Sequence, residues 1–278
     1  MLSLSSPAKI NLFLRILGRR NDGYHELASL FQTIDLCDTL HFCLADEDHI
    51  VCTDPSLPVD GTNLVSKAAN LFRKKTGIQS GLRVDLEKRI PQQAGLGGGS
   101  SNAATTLYAF NRLCGEPIKE ALLAEWSAEI GSDIPFFFSG GTAYCTGRGE
   151  RLQFIKSLQP TSVCIVKPSH GLSTPQVYGK LNLGDLPPRD PKAILDQFLQ
   201  GHPLYFNDLE APAFSILPEL KELKFELLKN GFSTVLMSGS GSSFFCLGDG
   251  QLPNRAGLEY HSAAFINRNP GEWFSQVN

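Results

Sequence analysis

Apolar and polar residues alternate near the start of the chain. Ala8, Ile10, Leu12 and Leu14 are interleaved with Lys9, Asn11, Phe13 and Arg15, and this period of two predicts a strand over 4–17. Residues 18–23, Gly-Arg-Arg-Asn-Asp-Gly, have turn chemistry, and further strands are expected over 29–35 and 39–44. The period then changes: Leu64, Val65, Ala68, Leu71 and Phe72 recur at helical spacing, with Thr62 or Asn63 as the cap and Gly77 as the stop. Leu82, Val84 and Leu86 alternate with Arg83, Asp85 and Glu87 in a half-buried strand that leads into a glycine-rich loop. Helices are expected over about 101–113 and 119–130, then strand and turn over 140–149. A short apolar strand over 163–166 suits the start of a second domain. The second half predicts helices near 175–180, 191–200 and 216–230, and strands over 233–237 and 243–247 around a second glycine-serine turn. After Gly248 the pattern is weak until a final helix expected near 271–277. Strands and helices interleave without strict βαβ repetition, which predicts an α+β fold.

Residues 91–104 read P-Q-Q-A-G-L-G-G-G-S-S-N-A-A, a glycine- and serine-rich loop placed between a strand and a helix. Gly95, Gly97, Gly98 and Gly99 lack the Cβ atoms that would keep a backbone away from a ligand. Ser100, Ser101 and Asn102 are candidate caps for the following helix. A helix N-terminus offers unpaired N–H groups and partial positive charge, which suits a phosphate. The loop is neither a P-loop, since no Lys follows its glycines, nor a dinucleotide fingerprint, since Ser100 stands at the third glycine position. Any cation for a phosphate must therefore come from elsewhere in the chain.

Composition narrows the classes. The chain has 278 residues, 42% of them apolar, enough for one large domain or two ordinary ones. Its net charge of −3, with acids and bases mixed, argues against a nucleic-acid or membrane-surface protein. No apolar run approaches the length of a transmembrane helix, and the N-terminus has no signal-peptide pattern. The seven cysteines form no C-x-x-C pair, so neither a zinc site nor a disulfide framework is expected. Reduced core thiols and a cytoplasmic location are expected instead.

Several polar residues interrupt patterns that predict burial. Lys9 lies within the first strand and faces either solvent or a cleft. Asp133 directly precedes the apolar run Ile134-Pro-Phe-Phe-Phe. It reads either as a turn or cap residue or as a carboxylate at the rim of a pocket, able to accept a proton from a substrate hydroxyl. In the latter case a nearby Lys9 ammonium would keep it ionised and offset charge on a transferred phosphoryl group. Tyr24 and His25 follow Asp22-Gly23 and form a candidate pair for a planar ring, one stacking and the other reading the edge, with Tyr178 adding a second face. The turn at 238–243, Ser-Gly-Ser-Gly-Ser-Ser, reads either as a hairpin or as a second close approach to phosphate.

Three ordered segments, Pro7-Ala-Lys-Ile-Asn-Leu12, the glycine loop and Met237-Ser-Gly-Ser-Gly-Ser-Ser243, resemble the motifs of the GHMP kinase superfamily over about residues 5–247. Asp22-Gly-Tyr-His-Glu-Leu27 and Gly131-Ser-Asp-Ile-Pro-Phe136 point to the members that phosphorylate the 2-hydroxyl of a cytidine diphosphate-linked methylerythritol in non-mevalonate isoprenoid synthesis. The resemblance implies a two-domain α+β kinase, 1–150 and 151–278, with its active site in the interdomain cleft. It implies Lys9 and Asp133 as the catalytic pair. ATP would be held by Pro91, Gln92, Gln93, Ala94, Gly95, Leu96, Gly97, Gly98, Gly99, Ser100 and Ser101, with Asn63, Leu64 and Lys88 at its nucleoside. The cytidylated substrate would be held by Asn11, Tyr24, His25, Thr174 and Tyr178, with Gly239 and Ser240 in the second turn. Mg²⁺ is implied by the ATP chemistry, with ligands that the sequence does not identify. A monomer or weak homodimer is expected. Gln92-Gln93 departs from the small or apolar residues expected there and predicts altered loop packing. The alternatives are a homoserine- or mevalonate-type kinase, which has no base to stack on Tyr24 and His25, and a non-catalytic nucleotide-binding protein of the same fold.

Overall fold

The computed structural model describes residues 1–274 as two sheets with helices. In the first sheet, β1 (Leu2–Arg19) runs antiparallel to β2 (His25–Ala45) along most of their lengths. The two strands expected over 29–35 and 39–44 are therefore one. The chain stays extended because β1 accompanies it, and the register shift opposite Pro7/Ala8 takes up the polar interruption at Asp35. The other edge of β2 receives β4 (Gly81–Glu87) along 39–45 and β5 (Thr142–Gly147) along 27–32. Two short strands missed in the sequence, β3 (His49–Cys52) and β6 (Arg151–Phe154), extend it through β4 and β5. The second sheet begins with β7 (Ser162–Pro168). A third missed strand, β8 (Phe206–Asn207), pairs parallel with β1 in the first sheet. The second sheet is completed by β9 (Thr234–Met237), β10 (Phe244–Leu247) and β11 (Leu258–Ala264), in the order β11-β7-β10-β9.

Helix α1 (Leu64–Thr76) starts at Asn63, whose side chain accepts the N–H of Val65, and stops at Gly77 in the left-handed region, φ 77°. Helix α2 (Gly98–Leu113) starts three residues earlier than expected. Its cap is Gly97, and Ser100, Ser101 and Asn102 lie inside the helix instead of capping it. Helix α3 (Glu120–Ser127) is shorter than expected, and α4 (Thr174–Gly179) and α5 (Pro191–Leu199) lie as expected. The helix expected over 216–230 is preceded by an unexpected one. Helices α6 (Glu210–Ile216) and α7 (Glu219–Lys229) are separated at Pro218, where an α6 continued through proline would lose a backbone donor. The tail is more ordered than its sequence suggests. Beyond β11, the Trp273 indole donates to the Ser5 carbonyl (2.8 Å) and stacks on Tyr108. Residues 271–274 are not helical, and the remainder of the helix expected there lies outside the described residues.

The strict alternation predicted for β1 gives way to burial of every residue from Ser5 to Leu14, because both faces of the strand are covered. On one face Ala8, Ile10 and Leu12 pack with Ile165 and Phe245 of the second sheet. On the other face of the first sheet, α1 and α2 pack on Phe31, Leu40 and Phe42 of β2. Burial on this scale, at roughly 25 cal/mol per Å² of apolar surface, is the main force holding the layers together.

One polar contact fixes how the two halves meet. The glycine loop lies against the turn at 238–243. Gln93 and Ala94 carbonyls accept the N–H groups of Ser242 (3.3 Å) and Ser243 (3.2 Å), and the Gly95 carbonyl accepts the Ser238 hydroxyl (3.0 Å). The Leu96 carbonyl accepts the Lys9 N–H from β1 (2.9 Å). Gly95 is required by this contact: a Cβ there would fall 1.9 Å from the Ser238 carbonyl oxygen, at φ +73°. Gly115 has a similar φ of +83° and open space, so it isolates the cost of the backbone conformation alone. Gly115→Ala is expected to cost about 1–2 kcal/mol. Gly95→Ala is expected to cost clearly more, read as the difference in urea unfolding midpoints. Equal costs would mean that the loop-to-turn contact contributes nothing.

Candidate active site

Between the two halves lies a cavity of about 1440 Å³. A pocket for one drug-sized ligand is typically ~300–1,000 Å³, so this one has room for two ligands end to end. Its floor is β1, with the glycine loop on one side and the turn at 238–243 on another. Every site residue expected from the sequence lines it except Ser101. That residue is fully buried and its hydroxyl is engaged by the Ser6 hydroxyl (2.8 Å), on the core side of α2.

Lys9 faces this cleft and not solvent; it is 3% exposed. The register that points Ala8 and Ile10 at the second sheet points Lys9 and Asn11 the other way. Lys9 Nζ donates to Asn11 Oδ1 (2.7 Å), lies 3.5 Å from Asp133 Oδ2 and 4.8 Å from the Phe31 ring centroid. Asn11 Nδ2 donates in turn to the Ser29 hydroxyl (2.8 Å), and that hydroxyl to the Phe13 carbonyl (2.5 Å). The lysine is thus oriented by a buried chain of hydrogen bonds, and a Cβ on Gly97 would fall 2.9 Å from its Cγ. Asp133 sits at the rim with about a third of its side chain exposed. The buried 3₁₀ turn Pro135–Phe138 anchors it from behind.

At one end of the cavity, helix α2 points its N-terminus inward from Gly97. The side chains expected at this end from the loop and its neighbours are largely committed to the protein. Asn63 donates to the Pro58 carbonyl and accepts from Val65. Lys88 is paired with Asp38. Gln92 donates to Asp54 and Ser56 (2.5 and 2.8 Å), which ties the loop to the segment before α1. Gln93, at φ 48°, packs against Gly171, where a Cβ would fall 2.4 Å from Gln93 Oε1. What remains on this side for an anion is chiefly loop backbone, the helix N-terminus and the Lys88 charge.

At the other end stand Tyr24 and His25. The His25 ring lies 5.0 Å from the ring of Tyr178. A base held between two rings needs about 7 Å, two contact distances of ~3.5 Å, so His25 and Tyr178 do not sandwich a base between them and instead form one platform. Tyr24 is exposed and carries the Arg148 guanidinium 4.9 Å from its centroid. Thr174 and Ser240 hydroxyls meet at 2.7 Å, which joins α4 to the second turn. Burial, with the Arg19 charge adding to it, holds the His25 imidazole below the ordinary histidine value. Burial pushes the Tyr178 phenol up, and the Asp133 charge adds to that.

Three charged groups here were missed in the sequence. Arg19 and Arg148 line the cavity; Arg148 sits in a Gly-Arg-Gly turn, a signal that reads equally as a surface turn. Asp38, fully buried behind Lys88, is legible only as an acid inside an apolar strand pattern. With Lys9 and Lys88, the lining is cationic although the chain is acidic, which favours a polyanionic ligand. Among the described residues, no group of three or more His, Cys, Asp or Glu side chains is placed to hold a metal. No described helix is long and apolar enough to cross a membrane. The seven cysteines are free, but only Cys145 and Cys246 are fully buried, fewer than the apolar patterns suggest.

The family models for the GHMP kinases N terminal domain and the GHMP kinases C terminal match residues 63–141 and 188–267. The chain is 56% identical over 276 residues to the 4-diphosphocytidyl-2-C-methyl-D-erythritol kinase of Protochlamydia amoebophila (strain UWE25), covering 99% of this chain and 94% of that protein. It is similar in structure to a crystallised 4-(cytidine 5'-diphospho)-2C-methyl-D-erythritol kinase, with a TM-score of 0.81 and 37% identity over 96% of this chain and 100% of the other. A homoserine kinase from Cytophaga hutchinsonii shares the fold, with a TM-score of 0.70, at 18% identity over 96% of this chain and 95% of its own.

His25 is expected to titrate below the usual histidine range, followed by its imidazole NMR signals against pH. Arg19→Gln, which removes the secondary cause, is expected to move the midpoint part of the way up. A midpoint at or above the ordinary value in the native chain would contradict the burial argument.

Proposed function

The chain belongs to the GHMP kinases, as a member of the 4-diphosphocytidyl-2-C-methyl-D-erythritol kinase family, and from that membership we propose how its cavity carries the reaction. The enzyme is an ATP-dependent phosphotransferase with an alcohol acceptor, the 2-hydroxyl of 4-diphosphocytidyl-2-C-methyl-D-erythritol. The observation that carries the residue assignment is the Lys9–Asp133 pair at 3.5 Å, in the middle of a cavity with a phosphate-type helix terminus at one end and an aromatic platform at the other.

In this reading Asp133 accepts the proton of the acceptor hydroxyl as its oxygen bonds to the γ-phosphorus and the bond to the ADP oxygen breaks. Lys9, held by Asn11, keeps Asp133 ionised and faces the charge on the transferred group. Phosphoryl transfer needs mostly positioning and electrostatic stabilisation, and an oriented, buried ammonium supplies both. The loop from Pro91 to Ser100 and the N-terminus of α2 cradle the ATP phosphates, with Asn63, Leu64 and Lys88 toward the nucleoside. Ser101 acts through the core contact with Ser6 and not on phosphate. Tyr24, His25 and Tyr178 hold the cytosine, and a His25 held neutral can both donate to and accept from the edge of a base. Asn11, Thr174, Gly239 and Ser240 border the path between base and hydroxyl.

Mg²⁺ fits this site as a companion of ATP. It takes hard oxygen ligands and is held largely by phosphates and water. The half-buried Ser100 and the rim carboxylate Asp133 are the protein oxygens of that kind on the phosphate side. When bound, it would neutralise the β and γ oxygens. The free cysteines support a reducing, cytoplasmic setting.

With Mg-ATP, the chain is expected to phosphorylate the cytidylated diphosphate and to leave homoserine and mevalonate unreacted. Asp133→Asn is expected to lower turnover roughly 10²–10⁴-fold with ATP affinity nearly unchanged. Turnover of homoserine but not of the cytidylated compound would overturn the substrate. Near-native turnover in Asp133→Asn would remove Asp133 from the mechanism.

A further inference from the structure

Asp38 is fully buried in β2, and no motif of the sequence points to it. Its Oδ1 accepts the N–H groups of Arg89 (2.8 Å) and Ile90 (2.9 Å), the residues that lead into the glycine loop. Its Oδ2 accepts the Asn102 side-chain amide (2.9 Å), from the first turns of α2, and the Lys88 ammonium. One carboxylate thus grips the segment entering the loop, the helix leaving it and the cation beside it. An isolated buried carboxylate is very costly, so this constellation is stable only when its partners are in place.

Lys88 gives the arrangement its consequence. Its side chain is largely buried yet lines the cavity, and its Nζ would lie 3.3 Å from a Cβ on Gly98, the first residue of α2. A lysine is a point charge on a flexible stem. Without an anchor its ammonium would not hold a fixed place beside the helix terminus. We infer that Asp38 is a positioning residue for the nucleotide, setting the Lys88 ammonium and the entry of the glycine loop in register with the N-terminus of α2. The inference rests on the reading of that end of the cavity as the ATP side.

Asp38→Asn separates this role from a merely structural one. The side chain keeps its shape, and its oxygen still accepts from Arg89 and Ile90, but its NH₂ group faces the Lys88 ammonium and the Asn102 amide and accepts from neither. Binding of Mg-ATP, read by calorimetry without acceptor, is expected to weaken about tenfold or more, and Lys88→Met is expected to do the same. The double variant is expected to bind no worse than Lys88→Met alone, because Asp38 acts through the lysine. In steady state the KM for ATP is expected to rise while the KM for the cytidylated acceptor moves less than about threefold. Multiplying losses in the double variant, or equal rises in both KM values, would overturn the inference. Should Asp38→Asn not fold, Lys88→Met still decides: unchanged ATP binding in that variant overturns it. If the native chain binds no ATP, the nucleotide reading itself fails. If it binds ATP and neither variant weakens that binding, only this inference fails.

Discussion

The carbonyl oxygens of Gln93, Ala94 and Gly95 accept hydrogen bonds from the turn at 238–243, and the positions of the cavity's groups depend on that contact. The glycine loop enters from β4 and leaves into α2, so it belongs to the first sheet. The turn joins β9 to β10, so it belongs to the second. Where they touch, two sheets already joined by a shared apolar cluster become the two walls of one cleft. The Lys9 N–H bonds the Leu96 carbonyl in the same region, which adds β1 to the junction. The glycines of the loop therefore serve the protein before they serve a ligand. Gly95 makes room for Ser238, Gly97 for the Lys9 side chain and Gly98 for Ile90 and Lys88.

Charge is arranged with similar economy. The chain is acidic overall, yet Lys9, Lys88, Arg19 and Arg148 all line the cavity. Two of these cations are buried or nearly so, and each is oriented by a partner that is itself held: Lys9 by Asn11 and Ser29, Lys88 by Asp38. In a low-dielectric setting a fixed cation interacts with a phosphate far more strongly than a solvated one. Both orientations are set by the protein's own groups, the kind of fixed cation that electrostatic stabilisation of phosphoryl transfer calls for.

Much of this was legible in the sequence, where local rules apply. A helix cap at Thr62 or Asn63, the Gly77 stop, the strand into the glycine loop and the second turn all follow from turn and capping chemistry. Lys9 and Asp133 stood out because each is polar where burial was predicted. What escaped was set by tertiary contact. The break between β2 segments did not occur because β1 runs alongside. Strand β11 was missed because its pattern is that of a half-exposed edge strand. The role of Asp38 was not readable because its four donors come from residues 88–90 and 102, far away in the chain. The sequence grouped Tyr178 with His25, but the direct contact of their rings joins the start of β2 to α4 and follows from no local spacing.

The account stands on one spatial claim: the base of the acceptor and the phosphates of ATP occupy opposite ends of a single cavity, with Lys9 and Asp133 between them. A crystal structure with a non-hydrolysable ATP analogue and the cytidylated substrate tests it most directly. The account predicts cytosine against Tyr24, His25 and Tyr178, the γ-phosphate at the N-terminus of α2, and the acceptor hydroxyl within hydrogen-bond reach of Asp133. Cytosine bound away from those rings, or the hydroxyl out of reach of Asp133 with both ligands in place, would contradict it.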